Sequence, residues 1–294
     1  MDTRKIQLVG KRSYSVSLPK KWVVEHGLKE GDNVFIEHTK ASDLVLKPDR
    51  VSSKDLSSLE VNLSEIEGVS EFLLFCYMKN IDNIKIKSSR FDLASIRKIK
   101  QSLKGLEGFD ITKETQTSIE ISFLFNDINI SLERIILRMI YILKVMLESI
   151  EQNDSEALKE LEETEDRLYY LAKRILFKCL GDDSKKESIV KGKDDLLFLW
   201  DIFKKLENIA DRVQKLKDMA HTKSDTGLIK DLIEYIEKSW NKKQTAQKML
   251  NQIRNTDINV QDHKKKIILD SVKKHVSDVV RNLVYFDMES KFYS

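Results

Sequence analysis

Residues that interrupt helices are scarce in this sequence, with only 2 prolines and 9 glycines among 294 residues. Long helices are therefore expected over most of the chain. Cysteine is equally scarce. Cys76 and Cys179 lie in apolar segments, without the C-x-x-C spacing of a metal or redox site. They are predicted to be free, buried thiols.

The sequence lacks a long uncharged apolar run. Lys11 and Arg12 interrupt the first apolar stretch, so it does not read as a signal peptide. The most apolar helical stretch, IILRMIYILKVML, contains Arg138 and Lys144 and is too short to span a bilayer. We therefore expect a cytoplasmic protein that does not insert into the membrane.

Signatures of catalysis are also missing from the sequence. It has no glycine-rich loop that would hold a phosphate and no Ser/His/Asp or Cys/His arrangement, and its 5 histidines are scattered. The sequence thus predicts a binding or regulatory protein rather than an enzyme.

The positive charge of the chain is concentrated at its beginning. Residues 1–50 carry ten basic and seven acidic residues, a surplus equal to the net charge of the whole chain, +3. Residues 1–21 contain six basic residues and a single acidic residue, Asp2. These six are the candidate nucleic-acid contacts: Arg4, Lys5, Lys11, Arg12, Lys20 and Lys21.

The first 48 residues read as a β-β-α-β-β unit. Alternation predicts strands over Lys5–Val9 and Tyr14–Leu18, and Pro19 suits the first turn of a short helix that Gly27 ends. Two more strands are predicted at 34–36 and 44–46. A unit of this length rarely closes a core alone, so a partner chain is expected to complete it.

The pattern of residues 3–48 resembles the AbrB/SpoVT/MazE swapped-hairpin domain. Leu18-Pro19-Lys20 and the Gly31-Asp32 turn fall at the intervals of that family. The resemblance implies a homodimer in which two chains interleave their strands into one β-barrel that presents basic loops to DNA. A hairpin domain that only dimerises is the alternative.

Residues 49–128 are predicted to be a small α+β connecting module. A polar, serine-rich link precedes a helix at 66–78, a strand at 84–87 and a helix at 93–103. After a break at Gly105 and Gly108, two strands are predicted at 109–113 and 118–125. No ligand motif is evident in this module.

Residues 129–294 are predicted to form an antiparallel helical bundle. Apolar stripes at helical spacing run through 135–150 and 161–176, and further helices are expected at about 190–221, 226–253 and 260–290. The fold class is thus α+β and mainly α.

Two acidic pairs on the bundle helices are candidate metal ligands, Glu162 with Asp166 and Glu207 with Asp211. Residues four apart lie on one helix face, where like charges are unfavourable. Oxygen ligands of this kind suit a hard cation that relieves the repulsion. A solvated acidic face is the alternative.

The helices that carry these pairs resemble a three-helix unit of the PhoU family, whose E/D-x-x-x-D motifs bind metal ions. The resemblance covers residues 129–222 and implies Mn, Mg or Fe at the two pairs. The later segment departs from it, because Lys274 stands where an acid would follow Asp270. The second repeat is therefore expected to be degenerate. The Lys274 ammonium group is expected to supply the positive charge that a metal ion would supply there.

A swapped hairpin followed by a PhoU-like bundle resembles the archaeal PhoU-type regulators of phosphate uptake. Two functions are implied. The chain is either a dimeric transcriptional regulator with a sensor bundle, or an adaptor that docks on the ATPase of a phosphate transporter and uses the hairpin only to dimerise.

Overall fold

The computed structural model describes residues 3–10, 12–38, 44–48, 58–124, 130–181, 189–190, 192–219, 223–242 and 245–292. The chain divides into two compact units, Met1–Ser58 and Leu59–Ser294. The mainly helical α+β fold expected from the sequence is confirmed, with small hairpins first, a mixed sheet next and a helical bundle last.

The first unit consists of two separate hairpins and a short helix. Strands β1 (Gln7–Val9) and β2 (Ser13–Ser15) form one antiparallel pair, and β3 (Val34–His38) and β4 (Leu44–Pro48) form the other. Helix α1 (Lys20–Glu25) lies between the hairpins in sequence. The predicted order is confirmed, although the first two strands are shorter than expected.

Residues 59–124 form the α+β module of the second unit. Its four-stranded sheet has the order β5-β6-β8-β7, with β6 and β7 each antiparallel to β8. The elements are β5 (Ser58–Asn62), α2 (Val69–Met78), β6 (Asn83–Lys87), α3 (Leu93–Leu103), β7 (Phe109–Glu114) and β8 (Ser118–Phe123). The prediction that the serine-rich stretch is only a link was wrong, because its last residues form the edge strand β5.

The module has its own hydrophobic core. Ile84 and Ile86 alternate with polar residues along β6, and both are buried with Leu73 and Tyr77 of α2. Cys76 is buried in the same core as a free thiol, and burial raises its pKa to about 12. The prediction of a free, buried thiol is confirmed for Cys76, and its environment makes the thiol unreactive.

The bundle contains the longest helices of the described chain. The helices of the bundle are α4 (Leu132–Glu151), α5 (Ser155–Gly181), α6 (Lys193–Leu216), α7 (Lys223–Trp240), the short α8 (Ala246–Arg254) and α9 (His263–Phe292). Helix α5 packs between α4 and α6, while α9 packs along α6, α7 and α8. One continuous apolar core runs through all six helices. Among the described residues, no helix combines the length and apolarity needed to cross a membrane.

The prediction of one helix over 226–253 was wrong. Helix α7 ends at Trp240, and Lys242 adopts a left-handed backbone with φ of 53°. The Thr245 side chain then accepts a hydrogen bond from the Lys248 backbone N–H at 3.4 Å and begins α8. Neither glycine nor proline marks this break, so the sequence gives no strong signal of it.

A buried arginine joins the bundle to the module. The Arg174 side chain on α5 is only 4% exposed and lies 3.9 Å above the ring of Phe123 in β8. Its guanidinium donates to the Tyr77 carbonyl oxygen at 2.5 Å and pairs with Asp82. The Asn80 side chain donates back to the Arg174 carbonyl oxygen at 3.2 Å.

Candidate functional site

The first unit exposes the apolar residues that its strands carry. None of the residues whose side chains are described in this unit is buried, and Tyr14 and Ile6 are 76% and 70% exposed. In β3, the neighbouring residues Phe35 and Ile36 point to opposite faces of the strand, yet they are 57% and 59% exposed. Both faces of this hairpin therefore lack cover within one described protomer.

The hairpins of the first unit also leave their hydrogen-bonding edges open. Within the described residues, β1 pairs only with β2, and β3 only with β4. Isolated two-stranded hairpins are marginal in water, and a stable sheet needs further strands or a packed face. The geometry calls for further strands from outside the described unit.

The candidate bases are exposed and fall into two groups. Arg12 lies at the tip of the β1–β2 hairpin, in a turn where Gly10 adopts a φ of 62°. Arg4 and Lys5 precede β1 at the other end of that hairpin, where Lys20 and Lys21 begin α1. Lys21 lies 3.8 Å from Glu25, an exposed pair of little strength. Lys11 lies outside the described residues.

The structure brings the two acidic pairs of the bundle into one electrostatic cluster. Glu162 and Asp166 lie on α5, and Glu207 and Asp211 lie on the neighbouring α6. Burial, and after it the carboxylates of Glu162, Glu207 and Asp211, together raise the pKa of Asp166 to about 6. Burial and then the charge of Asp211 raise the pKa of Glu162 as well.

One lysine partly compensates this cluster. The Lys204 ammonium lies 2.7 Å from the Glu207 carboxylate and 5.2 Å from the centre of the Tyr169 ring. Lys173 lies on the same side, 5.0 Å from the Tyr169 ring and 4.9 Å from the Trp200 ring. The acids are thus bordered by a region where ammonium groups lie on aromatic faces.

Glu165 is a member of this cluster that the sequence interpretation missed. Its side chain is fully buried, and neither carboxylate oxygen has a hydrogen-bond partner in the described structure. Burial raises its pKa well above the ordinary value, with smaller contributions from Asp166 and Glu207. An unpaired buried carboxylate is unfavourable, so the group is held in its neutral form.

The carboxylate groups of the cluster are suitable ligands for a hard cation, but they are not arranged closely enough to hold one. All five groups offer carboxylate oxygens, the ligands that Mg²⁺ and Mn²⁺ prefer. Yet no group of three or more acidic, histidine or cysteine side chains within the described chain stands close enough to hold a metal ion. Metal binding here requires side-chain rotation on α5 and α6, and it stays a prediction.

The segment predicted to be a degenerate second repeat offers no comparable cluster among its described residues. Asp270 and Lys274 both lie on α9 with exposed side chains. Lys274 lies about one helical turn after Asp270, and no metal-binding group of acids forms around Asp270 in the described residues.

A comparison with protein families assigns the first unit. Residues 7–54 match the family model described as antidote-toxin recognition MazE, a bacterial antitoxin. The first unit is a MazE/AbrB-type domain. No curated protein and no solved structure matches the chain significantly. The MazE/AbrB-type domain is thus followed by a largely helical region, whose resemblance to PhoU stays a prediction.

Proposed function

We propose that this chain is a dimeric DNA-binding regulator of phosphate uptake, in which the MazE/AbrB-type domain binds an operator and the helical bundle senses phosphate status. The observation that carries the proposal is the first unit itself, a pair of uncovered hairpins in which five of the six candidate bases are described and exposed. Domains of this type typically dimerise and bind DNA.

Dimerisation accounts for the exposed strands. A second copy of the domain would cover Phe35 and Ile36 and continue the open edges of the hairpins. The same two-fold axis would double the basic residues, which supports binding to the regularly spaced phosphates of duplex DNA. No residue of the domain indicates a particular base, so DNA shape would contribute to sequence preference.

The phosphate-sensing part of the proposal rests on the PhoU resemblance of residues 129–222. A cation held by Glu162, Asp166, Glu207 and Asp211 would neutralise part of the acidic cluster when bound. Because these acids lie on two helices, occupancy would favour one arrangement of α5 against α6. We propose Mn, Mg or Fe for this role.

The test is an electrophoretic mobility shift with the full chain and the DNA upstream of phosphate-uptake genes. Arg12→Gln with Lys20→Gln should abolish the shift at physiological salt. Lys29→Gln is the matched control, because it removes an exposed base of the same domain outside the candidate set. Wild-type affinity should fall about 10³- to 10⁵-fold between 50 and 200 mM salt if roughly six to ten phosphates are contacted.

Two results would contradict the proposed contacts with DNA. A shift that the double variant and Lys29→Gln reduce equally would contradict the assignment of Arg12 and Lys20 as DNA contacts, and a nearly flat salt dependence would contradict contact with phosphates. If the wild-type chain is a dimer that gives no shift, the adaptor function remains, with docking on the ATPase of a phosphate transporter and a hairpin domain that only dimerises.

A further inference from the structure

A pocket between the bundle and the α+β module has no role in the proposed function. It has a volume of about 310 Å³ and lies where α4, α5 and the turn before β7 meet. That size is at the lower end of the range for small-molecule sites. All of its lining residues belong to the second unit.

Three arginines surround this pocket. Arg134 and Arg138 are four residues apart on α4, so they lie on one face of that helix. Arg167 reaches the pocket from α5, and its guanidinium donates to the Thr164 hydroxyl at 2.9 Å. Guanidinium groups recognise oxyanions through pairs of parallel hydrogen bonds.

These arginines carry more positive charge than their surroundings compensate. Arg167 lies 3.7 Å from the Glu107 carboxylate, the one acid among the lining residues. Within the described residues, neither Arg134 nor Arg138 has an acidic partner. Three cations facing one carboxylate leave an excess of two positive charges, which a dianion matches and a monocarboxylate does not.

The base of the pocket is apolar. Ile135, Leu168 and Leu171 line it and are 1%, 8% and 5% exposed. Because the residues beneath the arginines are aliphatic, the body of a ligand whose oxyanion is held by the arginines would contact apolar side chains. Arginines at the rim and aliphatic side chains beneath them are the usual composition of a small-molecule site.

The pocket is separate from the acidic cluster. Thr164, Arg167 and Leu171 lie on one side of α5, and Glu162 and Asp166 lie on the opposite side, because a helix turns by about 100° per residue. The α+β module positions the backbone of Glu107, because the Tyr77 hydroxyl donates a hydrogen bond to the Glu107 carbonyl oxygen at 2.8 Å. Both the helix pair and the module therefore contribute to the pocket wall.

We propose that this pocket binds a phosphate monoester with a compact apolar body, its phosphate held by Arg134, Arg138 and Arg167 and its body resting on Ile135, Leu168 and Leu171. The inference is independent of DNA binding and of metal binding, because it uses none of the same residues.

Isothermal titration calorimetry of the full-length protein tests the proposal, with phenyl phosphate as the probe. Phenyl phosphate should bind more tightly than inorganic phosphate, because only the ester covers the apolar base. Benzoate should bind more weakly than the ester, because it carries one charge, and phenol should not bind. Arg134→Gln with Arg138→Gln should weaken phenyl phosphate binding at least about tenfold.

Two controls locate the binding. Arg97→Gln removes an exposed arginine from α3, away from the pocket, and should leave the affinity unchanged. Lys20→Gln with Lys21→Gln removes bases of the MazE/AbrB-type domain and should also leave it unchanged. Arg138→Lys keeps the charge without the planar fork and should give an intermediate affinity.

Three results would overturn the proposal. They are no heat of binding with 5 mM phenyl phosphate, equal affinities for phenyl phosphate and inorganic phosphate, and wild-type affinity in the double variant of Arg134 and Arg138. Circular dichroism of that variant confirms its folding, and both substitutions lie on the exposed side of α4. DNA binding by the same variant is measured separately and is expected to persist.

Discussion

The MazE/AbrB-type domain has apolar residues without cover, whereas the helical bundle has acidic groups without compensating charge. The domain exposes its apolar residues, and none of the residues whose side chains are described in it is buried. The bundle buries a continuous apolar core but encloses Glu165 without a hydrogen-bond partner and gathers four more acids beside it. The first region lacks apolar cover, which a second chain can supply. The second lacks positive charge, which a small cation or a proton can supply.

The largest expected effect is dissociation of the dimer when exposed apolar residues of β3 are replaced by lysine. Phe35→Lys with Ile36→Lys places charges on both faces of β3 and should convert a dimer into monomers. Burial of each such side chain contributes about 1.5 to 3 kcal/mol, so four substituted positions per dimer should cost roughly 6 kcal/mol or more. Sedimentation velocity at micromolar concentration measures the change.

A matched pair of substitutions separates this effect from general loss of solubility. Leu93→Lys with Leu197→Lys changes two residues that are 72% and 68% exposed in the second unit. These positions should tolerate lysine without a change in mass. A wild-type chain that sediments as a monomer, or a dimer that persists in the variant of Phe35 and Ile36, would contradict the assignment of the domain as the dimer interface.

A smaller effect is expected from the acidic cluster in the presence of metal. Bound metal at a hundredfold excess over Kd stabilises the folded state by roughly 2.7 kcal/mol, which Asp211→Asn should largely remove. In chelator, the same substitution removes one like charge and should leave stability unchanged or slightly higher. Thermal unfolding with Mn²⁺, Mg²⁺ or iron, and with chelator, measures both.

Asp231→Asn is the control for the metal effect, because it removes an exposed acid from α7. Its melting temperature should follow the wild type in every condition. If added metal raises the melting temperatures of the wild type and of Asp211→Asn equally, the cluster holds no metal. The cluster is then a solvated surface or a site for a buried proton.

The smallest of the three effects concerns the proton on Glu165. Its pKa is raised on folding from an ordinary value of 4.5, so the folded state binds more protons and stability should fall as pH rises above about 4.5. Asp166, with a pKa raised from 3.8 to about 6, should add to this loss between about pH 4 and 6. Glu165→Leu should raise the free energy of unfolding at pH 7 by about 1 to 2 kcal/mol.

Urea unfolding at a series of pH values measures both contributions. Glu165→Leu should reduce the loss of stability with rising pH above about pH 7, where Asp166 is largely ionised in the folded state. Asp166→Asn should reduce the loss of stability between about pH 4 and 6. A Glu165→Leu protein that is less stable than the wild type at pH 7 would mean that the carboxyl group makes a favourable interaction at that position.

Local signals in the sequence were sufficient for several elements of the fold. Helix α3 was predicted from its apolar periodicity with the bounds that the structure gives. In the structure, the Asp92 side chain accepts a hydrogen bond from the Ser95 N–H and caps its first turn. Strand β5 was missed although Leu59 and Val61 alternate with polar residues, because the alternation covers only five residues at the end of a serine-rich stretch. Pairing with the sheet decides the conformation of so short a segment.

The acidic cluster was only partly visible in the sequence. Spacing of four residues identified Glu162 and Asp166, but Glu165 stood in a run of acids that reads as a solvated surface. Its position could have been recognised from Leu158, Ala172 and Cys179, which lie one or two heptads away and are all buried. The arginine pocket was not predictable, because it depends on how the turn at Glu107 meets α4 and α5.

The buried Arg174 has a consequence for how the second unit unfolds. Separation of the module from α5 would remove this guanidinium from the Tyr77 carbonyl, from Asp82 and from the Phe123 ring in one event. Opening of either part alone would therefore leave polar groups and an aromatic surface without their partners. The module and the bundle, which have separate hydrophobic cores, should melt together as one cooperative transition, while the MazE/AbrB-type domain unfolds with the dissociation of its dimer.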